Sequence, residues 1–154
     1  MIVCMNYELF MGEALAEARQ ASDGKGSVVG AVAVMNEAMV ARASHRIGEG
    51  ADPTAHAVIT AVREAARKLG TNRLSDVTIF TTLEPCPMCV GALLECDVAA
   101  LVYAAPNPIL GAAGTVVQLA QHPDLPRRLD VVSGIRRADA EELIGDIRAA
   151  RSRR

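Results

Sequence analysis

The chain has 154 residues, of which 51% are hydrophobic and 22% charged, and that balance excludes both a disordered polymer and a coiled coil. A net charge of −2 argues against a generally basic nucleic-acid coat, although a small local basic patch stays open. Aromatic residues make up only 3%, with no Trp, which leaves no platform for stacking several bases. No apolar run reaches the ~18 residues of a membrane span, and no basic-then-apolar leader opens the chain. A cytoplasmic protein of one domain over residues 1–154 is therefore expected, with 1–5 as an extended start.

No internal repeat, low-complexity segment or dividing linker interrupts the sequence. Tyr7, Phe10, Met11, Ala14, Leu15 and Ala18 recur at helical spacing, and 22–26 reads as a loop. Val28–Met35 is a continuous apolar run suited to a buried central strand. Asn36-Glu37 turns it into a partner strand through Met39 and Val40. Asp52-Pro53-Thr54 signals a helix start, with a capping side chain and a proline in the first turn. That helix is predicted over 55–69, ending at Gly70, with Ile59, Val62 and Ala66 on one apolar face. A strand is predicted over 77–82, a helix over 86–95, a strand over 100–104 and a short one at Val131-Val132. A last helix is predicted over 138–150. This alternation predicts an α/β fold of three α/β/α layers around a mixed sheet of about five strands.

Four cysteines occur, two of them as Cys86-x-x-Cys89 at a predicted helix start. Alone, that pair fits either a redox couple or a metal site. His56 opens the other helix and supplies a third ligand. Partial positive charge at helix N-termini favours thiolates, the form that binds metal. Three protein ligands with a fourth position left for water describe a Zn2+ site that activates water. Cys96 is read as an inert thiol packed on the same helix, and Cys4 is assigned no role.

The segments Val29-Gly30-Ala31-Val32, Asp52 to Ala57, Thr82-Leu83-Glu84-Pro85-Cys86, Met88-Cys89 and Gly111-Ala112-Ala113-Gly114 carry a resemblance. The sequence resembles the zinc-dependent cytidine deaminase superfamily over nearly its whole length. It looks most like the branch of tRNA adenosine deaminases and guanine deaminases, and His122-Pro123 leans toward the former. The resemblance implies a zinc-dependent hydrolytic deaminase of a nucleobase or nucleoside, with tRNA as a further candidate partner. It implies a homodimer with the helix over 86–95 as contact element, and it places His45, Ala57, Pro85 and Asn107 around the substrate.

The sequence departs from that pattern at a decisive position. The family signature His-Ala-Glu reads here His56-Ala57-Val58. The missing glutamate is the general acid/base that moves a proton from the zinc-bound water to the ring nitrogen and leaving amine. Valine carries no proton, and a positioned acid/base is worth about 10² to 10⁴ in rate. Glu84 stands where active relatives also carry it, so it is a poor substitute. His45 falls where relatives place a base-binding Asn, and either a solvent-facing loop histidine or a proton carrier fits it. In place of the tRNA-acting relatives' Asn-His-Arg and Phe-Phe-x-x-Arg-Arg stand Pro126-Arg127-Arg128 and Ile147-Arg148-Ala149-Ala150-Arg151. Eight arginines follow Pro123, but six acidic residues share that region, which reads as a solvated face.

Three readings follow. The chain is a Glu-to-Val form of an active deaminase, with activity impaired or absent. Or it is a natural non-catalytic zinc-binding relative that binds a base or RNA, or supports a partner deaminase. Or it is an enzyme of altered chemistry.

Overall fold

Asn6 starts the first helix by accepting the Leu9 N–H on its side chain at 3.0 Å, which satisfies one of the orphan donors of the opening turn. In the computed structural model, which describes residues 4–24 and 26–151, this helix, α1, spans Tyr7–Ala21. Residues 1–3 of the expected extended start, and Lys25 of the expected loop, lie outside the described residues. Phe10, Met11, Ala14, Leu15 and Ala18 form the buried face of α1, as their spacing predicts.

Strands β1 (Val28–Met35) and β2 (Ala38–Arg46) form a hairpin. Its turn residues Asn36 and Glu37 both hold positive φ, the twist that suits a two-residue hairpin loop. β2 runs well past Val40, and this extension places His45 on a strand, paired with Val29, rather than in a solvent-facing loop. The remaining strands are β3 (Thr78–Leu83), β4 (Ala100–Ala105) and β5 (Asp130–Ser133). The sheet order is β2-β1-β3-β4-β5, with β1 antiparallel to both neighbours and β3, β4 and β5 parallel. This is a mixed five-stranded α/β sheet, as expected.

Helix α2 spans Ala57–Leu69 and α3 spans Pro87–Glu95. The two pack together beside the sheet, while α1 packs on β1, β2 and β3 and touches α4 (Arg137–Ile144). Gly30 permits the close approach of α1: a Cβ there would lie 2.0 Å from the Ala14 carbonyl oxygen. The core is one cluster in which Phe80, Met11, Leu15, Ile79 and Leu101 are fully buried.

Two helices depart most from the sequence expectation. Asp52 does not cap α2. Its Oδ1 accepts from the Thr54 N–H at 2.9 Å and from the Thr54 hydroxyl at 2.6 Å, a local turn that competes with helix initiation. The helix starts later, with His56 at its N-cap and Gly70 in the left-handed C-cap conformation. The last helix is two. Gly145, at φ 65° and ψ −145°, breaks the chain after α4, and Asp146 Oδ1 accepts from the N–H groups of Arg148 and Ala149 to start α5 (Ile147–Arg151).

Candidate functional site

The carboxyl ends of parallel β3 and β4 and the N-termini of α2 and α3 converge on one cavity of about 540 Å³. In a sheet of this type such an edge is where ligands bind. Its wall contains all eight residues singled out from the sequence: His45, His56, Ala57, Val58, Pro85, Cys86, Cys89 and Asn107. Sequence reasoning did not find the apolar lining of Val29, Leu83, Met88, Leu110 and Ile147. For Ile147 the Gly145-Asp146 break was the available signal, because it turns α5 toward the cavity.

Pro87 at the first turn of α3 leaves Cys86 at the N-cap in extended backbone and Cys89 one turn later. His56 holds the matching N-cap of α2, and its side chain makes no cap bond, so the ring is free to turn inward. Its Nδ1 lies 3.6 Å from Cys86 Sγ and 3.5 Å from Cys89 Sγ. Sulfur and nitrogen at ordinary zinc bond lengths, ~2.3 and ~2.1 Å, stand ~3.6 Å apart across a tetrahedral angle. The three ligand atoms all lie within 4.8 Å of one another, and both cysteines are free thiols. The set therefore fits zinc in distance and in donor chemistry. Without an ion the thiols share a proton: the hydrogen bond from Cys89 holds Cys86 down at about 4, while that same bond, and then burial, push Cys89 up.

His45 packs against this cluster. Its ring stacks on that of His56 with centroids 4.8 Å apart and planes parallel. Its Nδ1 accepts the Ala57 N–H at 2.9 Å, so a side chain from β2 satisfies a donor at the start of α2. Burial, and then the neighbouring His56, lower His45 to about 4.

Glu84 is buried beside the cavity and serves the loop that closes it. Its carboxyl oxygens accept from the N–H groups of Asn107, Ala113 and Thr115 and from the Thr115 hydroxyl. Gly111 fits against this carboxyl group, where a Cβ would come within 2.5 Å of Oε2. Asn107 Oδ1 in turn accepts from Ile109 and Leu110 N–H, and the Pro85 carbonyl accepts from Ala112 N–H. Val58, 3% exposed, presents a branched apolar side chain to the cavity in the first turn of α2. The chain's four aromatic residues, Tyr7, Phe10, Phe80 and Tyr103, do not line it.

Residues 5–105 match the cytidine and deoxycytidylate deaminase zinc-binding region. The chain is 42% identical to the tRNA-specific adenosine deaminase of Bacillus subtilis, over 83% of its own length and 80% of that protein. It is 39% identical to the guanine deaminase of the same organism, over 71% of each. A solved structure from a study of A-to-I editing by tRNA:A34 deaminases superposes with a TM-score of 0.80 at 36% identity. That likeness covers 88% of this chain and 98% of the other. Two further relatives are much longer, and the chain spans only 9% and 24% of them. No helix among the described residues is long and apolar enough to cross a membrane.

Proposed function

We propose that this chain, which belongs to the cytidine and deoxycytidylate deaminase zinc-binding family, binds a nucleobase or nucleoside in the 540 Å³ cavity but lacks the proton carrier for its hydrolysis. His56, Cys86 and Cys89 would hold the zinc, which supplies an activated water when bound. His45, Ala57, Pro85 and Asn107 would surround the base. Asn107 is held in place by its bonds to Ile109 and Leu110, so its position is fixed before a ligand arrives. The cavity volume suits a nucleoside-sized ligand.

The observation that carries this reading is Val58 in the first turn of α2, inside the cavity and next to His56 and Ala57. An isopropyl group neither accepts nor returns a proton. Glu84 does not replace the carrier, because four donors of the 107–115 loop engage its oxygens. His45 is poorly placed for that duty as well, since the Ala57 N–H occupies its Nδ1. This disfavours the altered-chemistry reading.

The experiment compares Val58→Glu with the unaltered chain. Ammonia release is scored from adenine, guanine, cytosine, their nucleosides and a tRNA anticodon stem-loop. A gain of at least about 10²-fold on one substrate identifies an intact deaminase site without its carrier. No gain on any substrate rejects that account and favours a binding or partner-supporting protein. The second reading has one observation behind it: the same Val58, taken as native. Homologues acting on tRNA extend the candidate ligands to an anticodon loop. Here, however, Arg127 donates to the Leu94 and Glu95 carbonyls, Arg128 to Pro123, and Arg136 and Arg137 pair with Asp139 and Glu141. We also propose that the chain forms a homodimer through α3, whose Met88 is exposed.

A further inference from the structure

His45 differs from the other polar groups of the cavity in having its two ring nitrogens in fixed and opposite roles. A backbone N–H only donates, so the nitrogen that receives it carries no hydrogen. The Ala57 N–H reaches His45 Nδ1 at 2.9 Å, and the ring's single hydrogen must then sit on Nε2. Among the described residues Nε2 meets no partner, and it is not a buried orphan, so it stays open to solvent in a residue that lines the cavity. Flipping the ring to present a bare nitrogen would break the bond to Ala57, and rotating it out of its plane would also break the parallel stack on His56. The ring is held on both counts.

We infer that His45 is a specificity-determining residue that offers the ligand one hydrogen-bond donor and no acceptor. The ligand it selects presents an acceptor, a ring nitrogen or a carbonyl oxygen, at that point. A ligand presenting an exocyclic amine or a ring N–H there meets a second donor and is rejected. Val29, which pairs with His45 across the hairpin, and Val58 in the first turn of α2 are apolar, and their side chains offer no compensating acceptor. An amide side chain at residue 45 would not discriminate in this way, because it can turn either its oxygen or its nitrogen to the base. The inference rests on the proposed binding of a nucleobase in this cavity.

The test uses the zinc-loaded chain and two independent readouts. In ¹⁵N NMR of the histidine-labelled protein at neutral pH, His45 is expected with hydrogen on Nε2 and a bare Nδ1. Hydrogen on Nδ1 would overturn the inference whatever binds. In calorimetry, adenosine, guanosine and cytidine are titrated, and the tightest binder is compared with analogues in which each acceptor atom in turn is removed. One analogue is expected to bind at least about five-fold more weakly than its parent, the value of one neutral hydrogen bond. That difference should vanish in His45→Phe, which keeps a ring for the stack but has no donor, and in His45→Ala. His45→Asn should accept ligands that carry a donor at the same atom. If every analogue binds like its parent, or the loss persists unchanged in both His45→Phe and His45→Ala, the inference is wrong while nucleobase binding stands. If no nucleoside binds the zinc-loaded chain, the nucleobase reading fails and takes this one with it.

Discussion

At the scale of single residues, the site's chemistry turns on how few side chains can do each task. His56, Cys86 and Cys89 were legible because thiolates and imidazole at two helix starts have few uses other than holding a soft metal or a redox pair. The structure favours the metal, with Nδ1–Sγ distances that match tetrahedral zinc. Chain purified without added zinc should carry one equivalent of zinc by metal analysis. Cys86→Ser should drop this well below half an equivalent, whereas a Cys86–Cys89 disulfide without metal would refute the assignment. Zinc affinity should fall as pH falls, because protons compete for the two sulfurs and the imidazole, and chelator competition across pH 5 to 8 reads this out, roughly, from ligand chemistry alone. The surroundings of His45 were less legible. The stretch Ala41-Arg42-Ala43-Ser44-His45-Arg46 has small and polar residues where a strand usually shows bulky ones, so nothing local marks its pairing with Val29. Burial is decided by the hairpin partner, which periodicity does not report.

Elements show the same division between local and long-range signals. α1 was legible from its apolar spacing, which lies within the segment, as does its cap Asn6. α2 was misplaced at its start because Asp52 spends its side chain on Thr54, and the true start is fixed by His45 from another element. The 107–115 loop gave no sign of its anchor, because Glu84 is distant in sequence and its place in Leu83-Glu84-Pro85-Cys86 does not name the donors it accepts from. Replacing that anchor by Glu84→Gln leaves fewer acceptor positions for four donors. We expect a loss of about 1–3 kcal/mol by chemical denaturation and faster hydrogen exchange at Ala113 and Thr115. Unchanged stability would mean that the loop stands without the carboxyl group. At Gly30 the expected effect is steric. Gly30→Ala drives a methyl group into the Ala14 carbonyl oxygen and should cost about 1–3 kcal/mol, visible as a lowered Tm with α1 loosened from the sheet.

For the whole molecule, one mixed sheet brings the ends of β3 and β4 under the N-termini of α2 and α3, and this arrangement builds the cavity. The alternation of strands and helices made the fold class legible, but not the break at Gly145 that sets Ile147 in the wall. Zinc that binds only the folded chain should raise its Tm, and Cys86→Ser should abolish the rise. Sedimentation at micromolar concentration should show a dimer, and a monomer there would reject the assembly proposed through α3. The central claim is that this cavity binds a base without hydrolysing it. Its most direct test follows ammonia released by the zinc-loaded chain, unaltered at Val58, from the nucleoside that calorimetry shows to bind it. The account predicts saturable binding with release at least about 10²-fold slower than from the Val58→Glu form. Rapid release at one equivalent of zinc would contradict it, and would mean that a group other than the residue at position 58 carries the proton.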